Sequence, residues 1–139
     1  MQDGTFTSPG HPRETAHDRG NVYARDCPTR QLLDRIGDKW SVLILLLLGD
    51  DAMRFNALKR RVDGVSQKML SQTLRSLERD GLVTREVVAT VPVTVTYRIT
   101  PLGRELLASL QLMIDWAETR MAAVETAQRR FDGRDVAAN

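Results

Sequence analysis

The stretch Ser66-Gln67-Lys68-Met69-Leu70-Ser71-Gln72-Thr73-Leu74-Arg75-Ser76-Leu77-Glu78-Arg79-Asp80-Gly81 decides the fold. A serine such as Ser66 suits a helix N-cap, where its hydroxyl satisfies an otherwise unpaired amide. Gly81 suits the position just past the helix end, where the backbone turns left-handed. Between them Leu70, Thr73, Leu74 and Leu77 share one side at helical spacing. Gln67, Lys68, Ser71, Gln72, Arg75 and Arg79 fall on the other, and Lys68, Gln72, Arg75 and Arg79 form one ridge at i, i+4, i+7 and i+11.

Just upstream, Phe55, Leu58 and Val62 stand at i, i+3 and i+7 and mark a short amphipathic helix, broken by Asp63-Gly64-Val65. Two short helices joined by a tight glycine-containing turn make a helix-turn-helix. Just downstream, Leu82 to Val88 and Val93 to Thr100 are β-rich, and the second run alternates Val93, Val95, Tyr97, Ile99 against Thr94, Thr96, Arg98, Thr100. Pro92 lies in the link, where a missing amide is harmless. The pair is expected to form a two-stranded hairpin, the wing.

Further out, Cys27-Pro28 reads as a helix entry, because proline is pre-set for the first helical position. Leu32, Leu33 and Ile36 follow as a stripe ending at Gly37. Asp38 can cap the next segment, Lys39 to Leu48. Its run Val42 to Leu48 is apolar on every side, which predicts an enclosed helix, with a buried strand as the alternative. Thr100-Pro101 repeats the cap-plus-proline entry and opens a helix expected to reach about Val124, roughly 36 Å long. Leu102, Leu106, Leu110, Met113, Ala117 and Met121 line one stripe of it, and Leu107, Leu112, Ile114 and Trp116 widen the apolar surface beyond what so small a core covers. A partner chain is expected there. The fold class is therefore α+β, mainly helical: a winged helix-turn-helix with added N- and C-terminal dimerisation helices. Residues 1–21 are expected to be a flexible tail, 22–125 the domain, and 126–139 a polar C-terminal tail in which Gly133 interrupts any helix.

Net charge is only +2, which does not announce a polyanion binder. Its distribution says more: eight basic and three acidic residues between Arg54 and Arg85 give that segment +5. A solvated, salt-bridged helical face is the bland alternative. The longest apolar run has seven residues, against about 20 for a bilayer span. A cytoplasmic, nucleoid-associated protein is expected. His11 and His17 lack further metal ligands at fixed spacing. No Ser-His-Asp set, metal-ligand cluster or phosphate-binding glycine loop is present, so no catalytic residue, metal or cofactor is expected.

The ridge has the residue types that read duplex DNA. Arg and Lys pair with guanine O6 and N7, Gln pairs bidentately with adenine, and small hydroxyls reach phosphate or base edges. The N-terminal part of the second helix enters the major groove in this motif. Gln67, Lys68, Ser71 and Gln72 are accordingly expected nearest the bases, with Ser66 at the cap a further candidate DNA contact. Arg75 is expected on base or phosphate, and Arg79 nearer the backbone. Arg54, Arg60 and Arg61 are candidate phosphate contacts, and Thr90, Thr94 and Thr96 are candidate wing contacts.

From Cys27 to Trp116 the chain resembles the HxlR family of bacterial winged-helix regulators, relatives of the MarR type. The resemblance rests on Cys27-Pro28, Ile36-Gly37-Asp38-Lys39-Trp40, Arg54-Phe55-Asn56-Ala57-Leu58, and Gly64-Val65-Ser66-Gln67-Lys68-Met69-Leu70. It continues through Leu74, Leu77-Glu78-Arg79-Asp80-Gly81-Leu82-Val83, Tyr97-Arg98-Ile99-Thr100 and Leu102-Gly103. The resemblance implies a transcription regulator, a repressor by preference. It would be a homodimer joined through its first and last helices, presenting two recognition helices to a pseudo-palindromic operator in double-stranded DNA. The wing departs from the family pattern: where relatives often carry two prolines and a basic residue, this chain has Pro92-Val93-Thr94.

Cys27, the single cysteine, would sit at a helix N-cap, where the dipole favours thiolate. In this family a cysteine at that place implies sensing of an oxidant or electrophile. The alternative is a small apolar filler near the dimer interface. Trp40, Phe55 and Trp116 are candidates for a ligand pocket or simply for core. Two other functions stand beside redox control: a winged-helix regulator governed by a non-covalent small molecule, and a winged-helix protein-interaction module that leaves DNA alone.

Overall fold

The computed structural model describes residues 21–138, with side chains described as far as Arg134. The expected N-terminal tail, with His11 and His17, lies outside the described residues except for Asn21. In chain order the elements are α1 (Pro28–Gly37), α2 (Lys39–Asp50), β1 (Met53–Arg54), α3 (Phe55–Arg61), α4 (Gln67–Arg79), β2 (Val83–Val88), β3 (Thr94–Ile99) and α5 (Pro101–Ala138). Mostly helical with a small antiparallel sheet, this is the expected winged helix-turn-helix.

The apolar run resolves as helix. Within that run Ile44, Leu45 and Leu48 of α2 are fully enclosed, and of its seven residues only Leu43 looks substantially to solvent. Around them close Leu58 of α3, Val62 and Val65 of the turn, Leu70, Leu74 and Leu77 of α4, Val83 of β2, Ile99 of β3 and Leu110 of α5. Asp38 caps α2 as its position suggested: Oδ1 accepts from the Trp40 amide at 3.2 Å, and Oδ2 accepts from the buried Ser41 hydroxyl at 3.0 Å.

Two expectations are corrected. The sheet has three strands in the order β1-β3-β2, because Met53 and Arg54 pair with Tyr97 and Thr96. A two-residue strand has no periodicity to read; it exists because the edge of β3 has unpaired backbone groups within reach. Second, α5 does not stop near Val124, nor does Gly133 interrupt it; the helix continues to Ala138, 38 residues and about 57 Å. A single glycine costs about 1 kcal/mol in a helix, too little to end one that continues on both sides.

Only the first part of α5 packs on the core, through Leu106, Leu107, Leu110 and Ile114. Beyond it Trp116 is 61% exposed, and Leu112, Met113, Met121 and Phe131 also lie open. No residue of α1 is buried, and Leu32 and Leu33 face solvent. Among the described residues, no helix is long and apolar enough to cross a membrane.

Candidate nucleic-acid interface

The geometry of α4 follows from its two ends. The Ser66 hydroxyl oxygen accepts from the Met69 amide at 3.0 Å, closing the N-terminus. At the C-terminus the Gly81 amide donates to the Glu78 carbonyl at 3.0 Å and the Leu82 amide to the Leu77 carbonyl at 2.9 Å. This doubly bonded cap needs a left-handed residue, which Gly81 supplies at φ +77°. Thr100 then fastens the helix end to α5: its hydroxyl donates to the Gly81 carbonyl at 2.7 Å and accepts from the Gly103 amide at 3.0 Å. On the other flank, Arg35 of α1 donates through Nε to Asp80 Oδ2 at 2.6 Å.

So anchored, α4 turns Leu70, Thr73, Leu74 and Leu77 inward, the four residues the sequence assigned to the core. Thr73 is buried without penalty because its hydroxyl donates to the Met69 carbonyl at 2.7 Å. Gln67, Lys68, Gln72, Arg75 and Arg79 are exposed, as is Ser66 at the cap; Ser71 is half-buried. Among the described residues, ion pairs engage Arg79 with Asp80 at 3.9 Å and Arg85 with Glu78 at 3.8 Å, and none engages Lys68 or Arg75. The ridge therefore presents Lys68 and Arg75 without an ion-pair partner among the described residues.

Two clefts flank it. One, about 510 Å³, lies between α4 and the sheet and is lined by Phe55, Ser71, Arg75, Glu78, Arg85 and Tyr97. Burial pushes the Tyr97 phenol above its usual value of 10.0; Arg85 opposes that shift and Glu78 adds to it. The other, about 560 Å³, separates α3 from the wing and is lined by Arg54, Asn56, Arg60 and Pro92 to Val95 among others. The structure thus brings Arg54, Arg60 and Thr94 together. Thr96 sits further back, half-buried opposite Arg54 in the β1-β3 pair, and Arg61 is exposed at the end of α3.

Asn56 and Lys59 share a surface with Arg60 and are further candidates that the sequence reading does not single out, although Asn56 stands inside a quoted motif and Lys59 belongs to the +5 segment. Nothing local distinguishes an outward asparagine on a seven-residue helix. The candidate aromatic pocket does not assemble: Phe55 lines both flanking clefts, Trp40 packs against the core, and Trp116 is exposed on α5. Cys27 occupies the N-cap of α1 with Pro28 following, as expected, but its side chain makes no capping bond and is buried.

Comparison with known proteins agrees with this geometry. The model of the HxlR-like helix-turn-helix family matches residues 35–125. The uncharacterized HTH-type transcriptional regulator YtfH of Escherichia coli is 40% identical over 105 residues, spanning 76% of this chain and 83% of its own. The solved YtfH of Salmonella typhimurium superposes with a TM-score of 0.73 at 41% identity, covering 80% of this chain and 98% of that one. The reduced form of the redox regulator HypR superposes at 0.66 with 37% identity, covering 71% and 98%.

Proposed function

The chain belongs to the HxlR-like helix-turn-helix family of transcriptional regulators, and from that premise we propose that it is a non-enzymatic homodimer whose paired α4 helices bind a pseudo-palindromic operator. One observation carries the reading: α4 exposes Gln67, Lys68, Gln72 and Arg75 on the side opposite its leucines, with no described carboxylate paired to Lys68 or Arg75. A ridge of that composition suits the major groove, and Arg54, Arg60 and Arg61 suit phosphates on either side. The open apolar surfaces of α1 and of α5 beyond Leu110 support a second copy of the chain as the partner that covers them. Repression follows where the occupied operator overlaps a promoter.

Lys68→Ala and Gln72→Ala test the reading face on duplexes selected by the parent protein from a random pool. Each is expected to relax base preference at one position per half-site, by about 1–3 kcal/mol for a bidentate contact. If both variants rank the duplexes as the parent does, the face is misassigned.

Redox control through Cys27 is the finer form of the reading. It is supported by the place of Cys27 at the start of α1 and by likeness to HypR, which is described as a redox regulator. Two thiols, one from each subunit, would give up two electrons and two protons to an oxidant and join as a disulfide; an electrophile would instead alkylate one thiol. Because Cys27 is buried, its thiol must become exposed before either happens. From there α1 communicates with the recognition helix through Arg35 and Asp80. Operator affinity of Cys27→Ser under mild oxidant tests this: an oxidant response equal to the parent's removes Cys27 from the mechanism, leaving Cys27 as packing.

A further inference from the structure

We infer that the wing tip is an apolar wedge that packs into the DNA minor groove while a phosphate strand runs through the cleft between α3 and the wing. This rests on the DNA-binding reading above and says how this chain's unusual hairpin takes part in it.

From Val87 to Val95 the hairpin carries no charged residue. Val87, Val88 and Val93 are each about half exposed or more, and Val91 is fully exposed. A continuous apolar tip of this kind marks a contact surface rather than an ordinary loop. The wing's cations lie back from the tip and are engaged: Arg98 Nε meets Glu86 Oε2 at 3.2 Å, and Arg85 Nε lies 3.8 Å from Glu78 Oε1. The Thr90 hydroxyl is engaged too, donating to the Pro92 carbonyl at 2.7 Å and bracing the turn. The tip therefore offers a partner mainly shape and apolar surface, with no charged group and with Thr94 as its one hydroxyl lining the cleft toward α3.

The second cleft identifies the partner. Its far wall carries Arg54, Asn56 and Arg60 with Phe55 and Ala57 between them, and its near wall is Pro92 to Val95. A nucleic-acid strand has the matching pair of surfaces, anionic oxygens on one edge and carbon-rich sugar on the other. An apolar protein helix would leave the two arginines without counter-charge. The minor groove is only about 6 Å wide, so a tip led by Val91 and Pro92 can enter where a flat sheet cannot. Apolar wedges entering this groove unstack base steps and bend the duplex, which favours flexible pyrimidine–purine steps. The wing would then supply affinity that salt does not screen.

The test uses the full-length protein and duplexes it selects from a random pool, read by anisotropy across salt concentrations and by hydroxyl-radical footprinting. Val91→Ser, with a melting temperature equal to the parent's, is expected to lose roughly tenfold in affinity or more. Its salt slope should be unchanged and its minor-groove protection beside each half-site lost. Val91→Arg is expected to steepen the slope by about 1.8 for two tips. A Val91→Ser protein with the parent's affinity and footprint overturns the wedge, and so does a Val91→Arg protein with the parent's slope. A parent that selects no duplex at all fails differently, and removes the DNA-binding reading together with the wedge.

Discussion

Arg75→Ala isolates the electrostatic part of the interface. Of the three arginines around the C-terminal half of α4, Arg79 lies 3.9 Å from Asp80 and Arg85 lies 3.8 Å from Glu78, while Arg75 is exposed and has no described carboxylate partner. Its charge is free to displace a counterion from DNA. One such contact per subunit, at about 0.9 in log K per log salt, makes Arg75→Ala flatten the dimer's slope by about 1.8. Between 50 and 200 mM salt, the affinity gap between parent and variant should then shrink by roughly tenfold. Fluorescence anisotropy titrations at three or four salt concentrations read this directly. Arg104→Gln is the control, removing one positive charge from α5, where Arg104 donates to the Gly49 carbonyl at 3.1 Å away from the ridge; it should keep the parent's slope. An Arg75→Ala slope equal to the parent's would refute the argument, since an exposed cation of α4 with no described partner would then be touching nothing.

Four further outcomes follow from the packing. At Gly103 a methyl group would strike the Leu82 carbonyl oxygen and come within 2.7 Å of Ile99 Cγ1, backbone and core that cannot step aside. Gly103→Ala should cost roughly 1–3 kcal/mol in urea denaturation. Gly49→Ala meets only the movable end of Leu107 and gains helix propensity of about 1 kcal/mol, so it should be near neutral. Because the folded protein holds the Tyr97 proton above pH 10.0, the stability this confers is complete below that value and is lost as pH rises through the folded pKa. Tyr97→Phe should flatten that alkaline limb in melts between pH 8 and 11, and an unchanged limb would exclude Tyr97 as its source. Trp116→Glu, placing charge on the open face of α5, should turn a sedimenting dimer into a monomer and abolish high-affinity operator binding. A variant that still sediments with the parent's mass moves the interface elsewhere.

How much of this was legible in the sequence depends on the range of the forces involved. The inward set of α4, Leu70, Thr73, Leu74 and Leu77, could be read outright because helical period alone fixes which side a residue takes. The caps at Ser66, Asp38 and Gly81 could be read because they act within three residues of themselves. Strand β1 could not, since Met53 and Arg54 become a strand only by meeting Tyr97 and Thr96, more than forty residues away. The full length of α5 was misjudged for the opposite reason: Gly133 is a weak local signal outvoted by the helix on either side. At the site, the cationic ridge was visible as spacing, whereas the grouping of Arg54, Asn56 and Arg60 against Pro92 and Val93 depends on how the wing folds back over α3. Burial of Cys27 was likewise invisible, because an N-cap position fixes backbone geometry and says nothing about what closes over the side chain.

The most direct measurement is the distance between the two recognition helices in solution. Nitroxide labels on Gln72→Cys, in a chain whose Cys27 is replaced by Ser, give it by pulsed electron resonance. Two α4 ridges that meet one face of a duplex should lie about one helical turn apart, roughly 34 Å. A distribution centred near that value in the DNA-free protein is the expected result. Labels that show no partner, or a fixed separation that no single duplex can bridge, would contradict it.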